Sequence, residues 1–150
     1  MDEPKRLELI TEAVRYCQHV SAMGMPAVCY TKALREPIHY LWERREGKGK
    51  LGAVRHCSVK ARDLRAGAGQ LIYDHAVPFR LLQEELLALR DPTPDVVREV
   101  LIKHGVIVLI TKEENALLNR ARLGRKMPPD WDGSDPLARY KTARIEIVDR

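Results

Sequence analysis

The sequence predicts an α+β fold, a mostly helical single domain with a small two-stranded antiparallel hairpin. Apolar residues recur at three- and four-residue steps through much of the chain, as amphipathic helices require. Only residues 70–74 and 106–110 have clear strand character, and a helical pattern follows each. A doubly wound sheet would need more strands than that. Residues 1–66 read as a helical N-terminal part. Residues 70–123 read as a strand–strand–helix core with a helical insertion at 79–104, and residues 124–150 as a C-terminal loop and short helix.

The first helix is expected to begin near Pro4, a residue suited to an opening turn, with Leu7, Ile10, Val14, Cys17 and Val20 as its apolar stripe. Met23-Gly24-Met25-Pro26 ends it. A second helix spans 27–45, where Pro37 removes a backbone donor and should kink or split it. Residues 46–50 form a basic, glycine-rich loop. Ser58 can cap a short helix running to Arg65, with Gly67-Ala68-Gly69 as its breaker. After the strand 70–74 come helices at 79–89 and 94–104. The second of these has Thr93 as N-cap, Pro94 in the first turn and Gly105 after its end. The strand 106–110 is the most apolar run in the chain. Thr111-Lys112-Glu113-Glu114 has the Thr-x-x-Glu capping-box pattern, opening a helix to about Leu123 that Gly124 closes. Ser134-Asp135-Pro136 starts a last short helix.

With 45% hydrophobic and 31% charged residues, the chain is neither disordered, collagen-like nor a disulfide-dense miniprotein. No apolar run approaches the roughly 20 residues that span a bilayer. The opening MDEPKRLEL does not read as a secretory signal. Cys17, Cys29 and Cys57 have irregular spacing, which suits free thiols in a reducing cytoplasm better than a zinc site or disulfides. The net charge of +5 conceals two basic clusters. One runs from Arg44 through Arg45, Lys48 and Lys50 to Arg65, and the other is Arg120, Arg122, Arg125 and Lys126. Basic clusters of this kind suit the phosphate backbone of a nucleic acid. Gly47-Lys48-Gly49-Lys50 lacks P-loop spacing, and neither Ser21 nor Ser58 sits in a nucleophile elbow. Leu34, Ile38, Leu41 and Trp42 offer apolar surface for a homodimer through the N-terminal helices.

The residues with a chemical case are Asp74, His75, Pro78, Asn115 and Asn119. Asp74 and His75 adjoin at a strand end, where neighbouring side chains point to opposite faces. Asn115 and Asn119 are four apart on a capped helix and share a face. Carboxylate and carboxamide oxygens suit a hard cation such as Mg²⁺ or Mn²⁺, and an imidazole can take a proton from water near neutral pH. Those parts suffice to hydrolyse a phosphodiester.

Asp74-His75-x-x-Pro78, followed by an apolar strand and the helix opening Thr-Lys-Glu-Glu-Asn, resembles the HNH, or His-Me finger, nuclease superfamily. The resemblance covers about residues 70–123 and implies a ββα-metal core. It implies that His75 is the general base, that Asp74, Asn115 and Asn119 bind metal, and that the substrate is DNA or RNA. This chain departs from the pattern in its insertion at 79–104, in lacking the flanking zinc cysteines, and in having only Gln83 or His104 where the family's middle Asn would orient the base. The alternative expectation is a non-catalytic nucleic-acid-binding or protein-interaction module on a degenerate nuclease scaffold.

Overall fold

The computed structural model describes residues 1–64 and 69–150. Helix α1 (Glu3–Ala22) starts where Asp2 accepts a hydrogen bond from the Lys5 amide, and all five residues of its expected stripe are buried. Helix α2 (Ala27–Pro37) ends at the proline. A π-helical turn, Ile38–Glu43, continues from it, so the break expected at Pro37 takes the form of a wider helix. Its five-residue hydrogen-bond spacing is seen where the Arg44 amide donates to the His39 carbonyl at 3.1 Å. The 46–50 loop runs into one helical turn, α3 (Gly49–Gly52).

Among the described residues the sheet has four strands, not two. Strands β1 (His56–Ser58), β2 (Leu71–His75), β3 (Ile107–Thr111) and β4 (Ile147–Asp149) lie in the order β2-β3-β1-β4. The expected antiparallel pair is β2 with β3, Tyr73 opposite Leu109 and His75 opposite Ile107. Strand β1 adds parallel to β3, and β4 antiparallel to β1. The two additional strands have three residues each, too few to show a period.

Between the strands lie α4 (Val59–Arg62), α5 (Phe79–Leu87), α6 (Pro94–His104), α7 (Lys112–Arg120) and α8 (Ala138–Thr142). Ser58 caps α4 as expected, although the helix is shorter than its pattern suggests, and the breaker begins at residues 67–68, outside the described residues. The Thr111 capping box is formed. Its Glu114 carboxylate also accepts the Ser58 hydroxyl at 2.5 Å, tying the start of α4 to the start of α7.

Among the described residues, three buried clusters hold this single domain together. The helical one joins α1, α2, the π-turn, α5 and α6, and contains Leu34, Ile38 and Trp42, with Leu41 packed against it. Those four residues therefore serve the chain's own core and are not the free dimer face the sequence suggested. A second cluster, with Ile72, Val108, Ile110, Leu118 and Tyr140, lies on one sheet face beneath α7 and α8. A third, with Cys57, Tyr73, Ile107 and Leu109, lies on the other. Among the described residues, no helix is long and apolar enough to cross a membrane.

The face beneath α7 and α8 is closed by Arg139, whose side chain is 1% exposed. It donates to Asp74 at 3.0 Å, to the carbonyls of His75 and Leu123 at 2.8 and 2.6 Å, and to those of Ala76 and Gly124. Removing it leaves the Asp74 charge without its cation and several carbonyls without their donor. Arg139→Met is expected to cost roughly 3–5 kcal/mol in urea unfolding, against less than about 0.5 kcal/mol for the exposed Lys141→Met.

Candidate active site

Strand β2 alternates, so Tyr73 and His75 share one face and Asp74 takes the other. On the Tyr73 face the strand meets the last residue of the π-turn. The Glu43 side chain is 2% exposed, and its carboxylate accepts three hydrogen bonds: the Tyr73 hydroxyl at 2.6 Å, His39 Nδ1 at 2.8 Å and His75 Nε2 at 3.1 Å. The imidazoles are only partly covered, at 21% and 25% exposed. They open onto a cleft of about 390 Å³ that Arg35, Tyr40 and Lys50 also line. Lys50 Nζ lies 4.9 Å from the centre of the Tyr73 ring, and the Arg44 guanidinium 5.3 Å from that of Tyr40.

These contacts set the protonation states. Burial alone would raise the Glu43 carboxyl. The hydrogen bonds from His75, Tyr73 and His39, together with the His75 charge, outweigh it, and the pKa is lowered. Burial and the same carboxylate drive the Tyr73 hydroxyl upward, so Tyr73 is a fixed donor and not a base. A carboxylate has no proton to give. His75 must therefore donate through Nε2, and its Nδ1 becomes the nitrogen free to take a proton. His39 bonds Glu43 through Nδ1 and keeps Nε2 for the cleft.

The three residues singled out for a cation, Asp74, Asn115 and Asn119, do not gather with His75 around one point. Asp74 is held by Arg139 and by the Tyr140 hydroxyl at 2.5 Å, and burial with the Asp74 charge raises that phenol. Asn115 and Asn119 are on α7, whose Leu118 packs on the Asp74 face of the sheet. Asn119 is exposed and its Oδ1 lies over Gly124, where a Cβ would come within 2.0 Å of it. The sheet therefore separates both asparagines from His75, and the set does not fit a shared Mg²⁺ or Mn²⁺. Among the described residues, no three His, Cys, Asp or Glu side chains converge as metal ligands. In the Glu43 cluster the imidazoles point at the carboxylate and not, with it, at a common centre.

The residue bonded to His75 is Glu43, and not Gln83 or His104. Gln83 is buried in α5, and His104 bonds Glu85 and the Gly133 carbonyl. Of the basic residues, Lys50 lines the cleft and Arg44 stands beside Tyr40. Arg45 stacks on Trp42 at 4.1 Å, and Lys48 pairs with Glu46 at 3.7 Å. Arg120, Arg122, Arg125 and Lys126 are exposed at and beyond the end of α7, the helix on the other face. His39, Glu43 and Tyr73 belong to none of the motifs in the sequence. Two spacings carry them: His39 and Glu43 four apart on a helix, and Tyr73 and His75 two apart on a strand.

Because the folded Glu43 carboxyl is the stronger acid, the native chain binds fewer protons than the unfolded one. Its contribution to stability is present above the ordinary value of 4.5 and lost as pH falls through the lowered one. Glu43→Gln is therefore expected to lower the urea midpoint at pH 7 and to remove part of the acid-limb fall of the wild type. Parallel curves for the two proteins below pH 4.5 would contradict the pairing.

Neither a protein-family model, nor a curated protein, nor a solved structure matches the chain.

Proposed function

We propose that this chain cleaves phosphodiester bonds of a nucleic acid, with His75 as its acid–base residue. The observation that carries the reading is the buried Glu43 carboxylate, which fixes His75 and His39 at the rim of a cleft lined by Arg35 and Lys50. An imidazole changes charge near neutral pH, and its catalytic use depends on being held in one tautomer and one direction. A neighbouring carboxylate does both and stabilises the imidazolium once it forms. The cations supply what a phosphate needs: charge to meet the ground state, and donors for the oxygens that gain charge as the bond breaks. Asp74 has no part in this chemistry. Its charge is committed to Arg139, and it sets the position of the strand that carries His75.

One observation favours a second reading, binding without catalysis. The exposed cluster at Arg120, Arg122, Arg125 and Lys126 is separated by the sheet from the His75 cleft, and it could hold a nucleic-acid backbone by itself.

The two readings diverge on mixed DNA and RNA substrates supplied with and without Mg²⁺. The wild type is expected to cut, and His75→Ala to cut about 10²–10⁴-fold more slowly with its affinity largely kept. Lys50→Ala should weaken binding and lower its dependence on salt. Tight binding without cutting would select the second reading, and undiminished cutting by His75→Ala would remove His75 from the chemistry.

A further inference from the structure

Resting on the phosphodiesterase reading, the geometry points to RNA as the substrate and to its own 2′-hydroxyl as the nucleophile. His75 acts as base and His39 as acid. Two imidazoles, not one, are bonded to the Glu43 carboxylate, His75 at one oxygen and His39 at the other. Each is left with one ring nitrogen, Nδ1 of His75 and Nε2 of His39, and both rings border the same cleft. A single imidazole can start the attack on phosphorus, but a second proton must still reach the leaving oxygen. His39 is placed to deliver it.

The shared carboxylate makes the exchange favourable. The step runs from the form with His75 neutral and His39 as the imidazolium; after it the two have changed places. One positive charge faces the one negative charge of Glu43 throughout, so no net charge is created in a partly buried site. The bonds balance in the same way. The 2′-oxygen gives its proton to His75 Nδ1 and forms a bond to phosphorus. The bond from phosphorus to the 5′-oxygen breaks, and that oxygen takes the proton from His39 Nε2. The products are a 2′,3′-cyclic phosphate and a 5′-hydroxyl, with no water, oxidant or other reactant consumed. Lys50 supplies positive charge to the phosphoryl oxygens while phosphorus carries five bonds.

Placement of the cation donors points the same way. A DNA phosphodiester offers no internal nucleophile, so a water must be bound and activated. The oxygen donors that would do this through a metal, Asp74, Asn115 and Asn119, stand across the sheet from His75. A nucleophile that comes with the substrate, already next to the phosphorus, requires no such assembly, and intramolecular attack has a large entropic advantage.

The test uses the full chain with a 5′-labelled single-stranded RNA in EDTA, beside DNA of the same sequence and an RNA bearing one 2′-deoxy residue. RNA is expected to be cut in EDTA to cyclic-phosphate ends, DNA to stay intact, and cutting to stop at the 2′-deoxy position alone. His39→Ala and His75→Ala should each slow the reaction about 10²–10⁴-fold, with circular dichroism reporting their folding. The exposed Lys50→Ala should slow it by a smaller factor even if a histidine variant fails to fold. Equal cutting of DNA, or cutting only with added Mg²⁺ and leaving 5′-phosphate ends, would overturn the RNA assignment while leaving the phosphodiesterase reading intact. Absence of cutting on every substrate would overturn both.

Discussion

The carboxylate of Glu43 is the interaction on which the arrangement depends. Taking a charge out of water is expensive, and such a group is kept only where donors replace its hydration. Here there are three: a phenol and two imidazoles, drawn from a helix and a strand far apart in sequence. The bonds do two things together. They fasten the π-turn to strand β2, and they fix how each imidazole can hold its proton. Structure and chemistry share the same atoms, so a change at Glu43 is felt in both.

The geometry of that carboxylate follows from two local features. Pro37 cannot continue the α-helical hydrogen-bond ladder, and the chain passes into a wider π-helical turn that presents His39 and Glu43 together. On the strand, two-residue periodicity brings Tyr73 and His75 to the same side. The same periodicity sends Asp74 to the opposite face, where Arg139 and Tyr140 hold it. The Asp-His dipeptide is thus divided: the aspartate holds the strand from one side, and the histidine faces the cleft on the other.

Much of the fold was legible because it is written in local signals. Pro4 lies in the first turn of its helix, Ser58, Thr93 and Thr111 act as the caps their neighbours imply, and Pro37 breaks its helix. Strands β1 and β4 were not legible, since three residues such as His-Cys-Ser carry no period and pair only through partners distant in sequence. The site was half legible. His75 stands out in the sequence beside Asp74, but the carboxylate bonded to it, Glu43, lies 32 residues earlier. Asn115 and Asn119 do share a helix face, as their spacing requires. That face belongs to a helix on the far side of the sheet, a fact fixed by the burial of Leu118 and not by the asparagines themselves.

The central claim is that one buried carboxylate holds two imidazoles in defined tautomers. Nitrogen-15 NMR of the histidine side chains tests it most directly. In the neutral state the spectra should show His75 protonated at Nε2 and His39 at Nδ1, with both preferences lost in Glu43→Gln. Imidazoles exchanging freely between tautomers in the wild type, or unchanged by that substitution, would contradict the account.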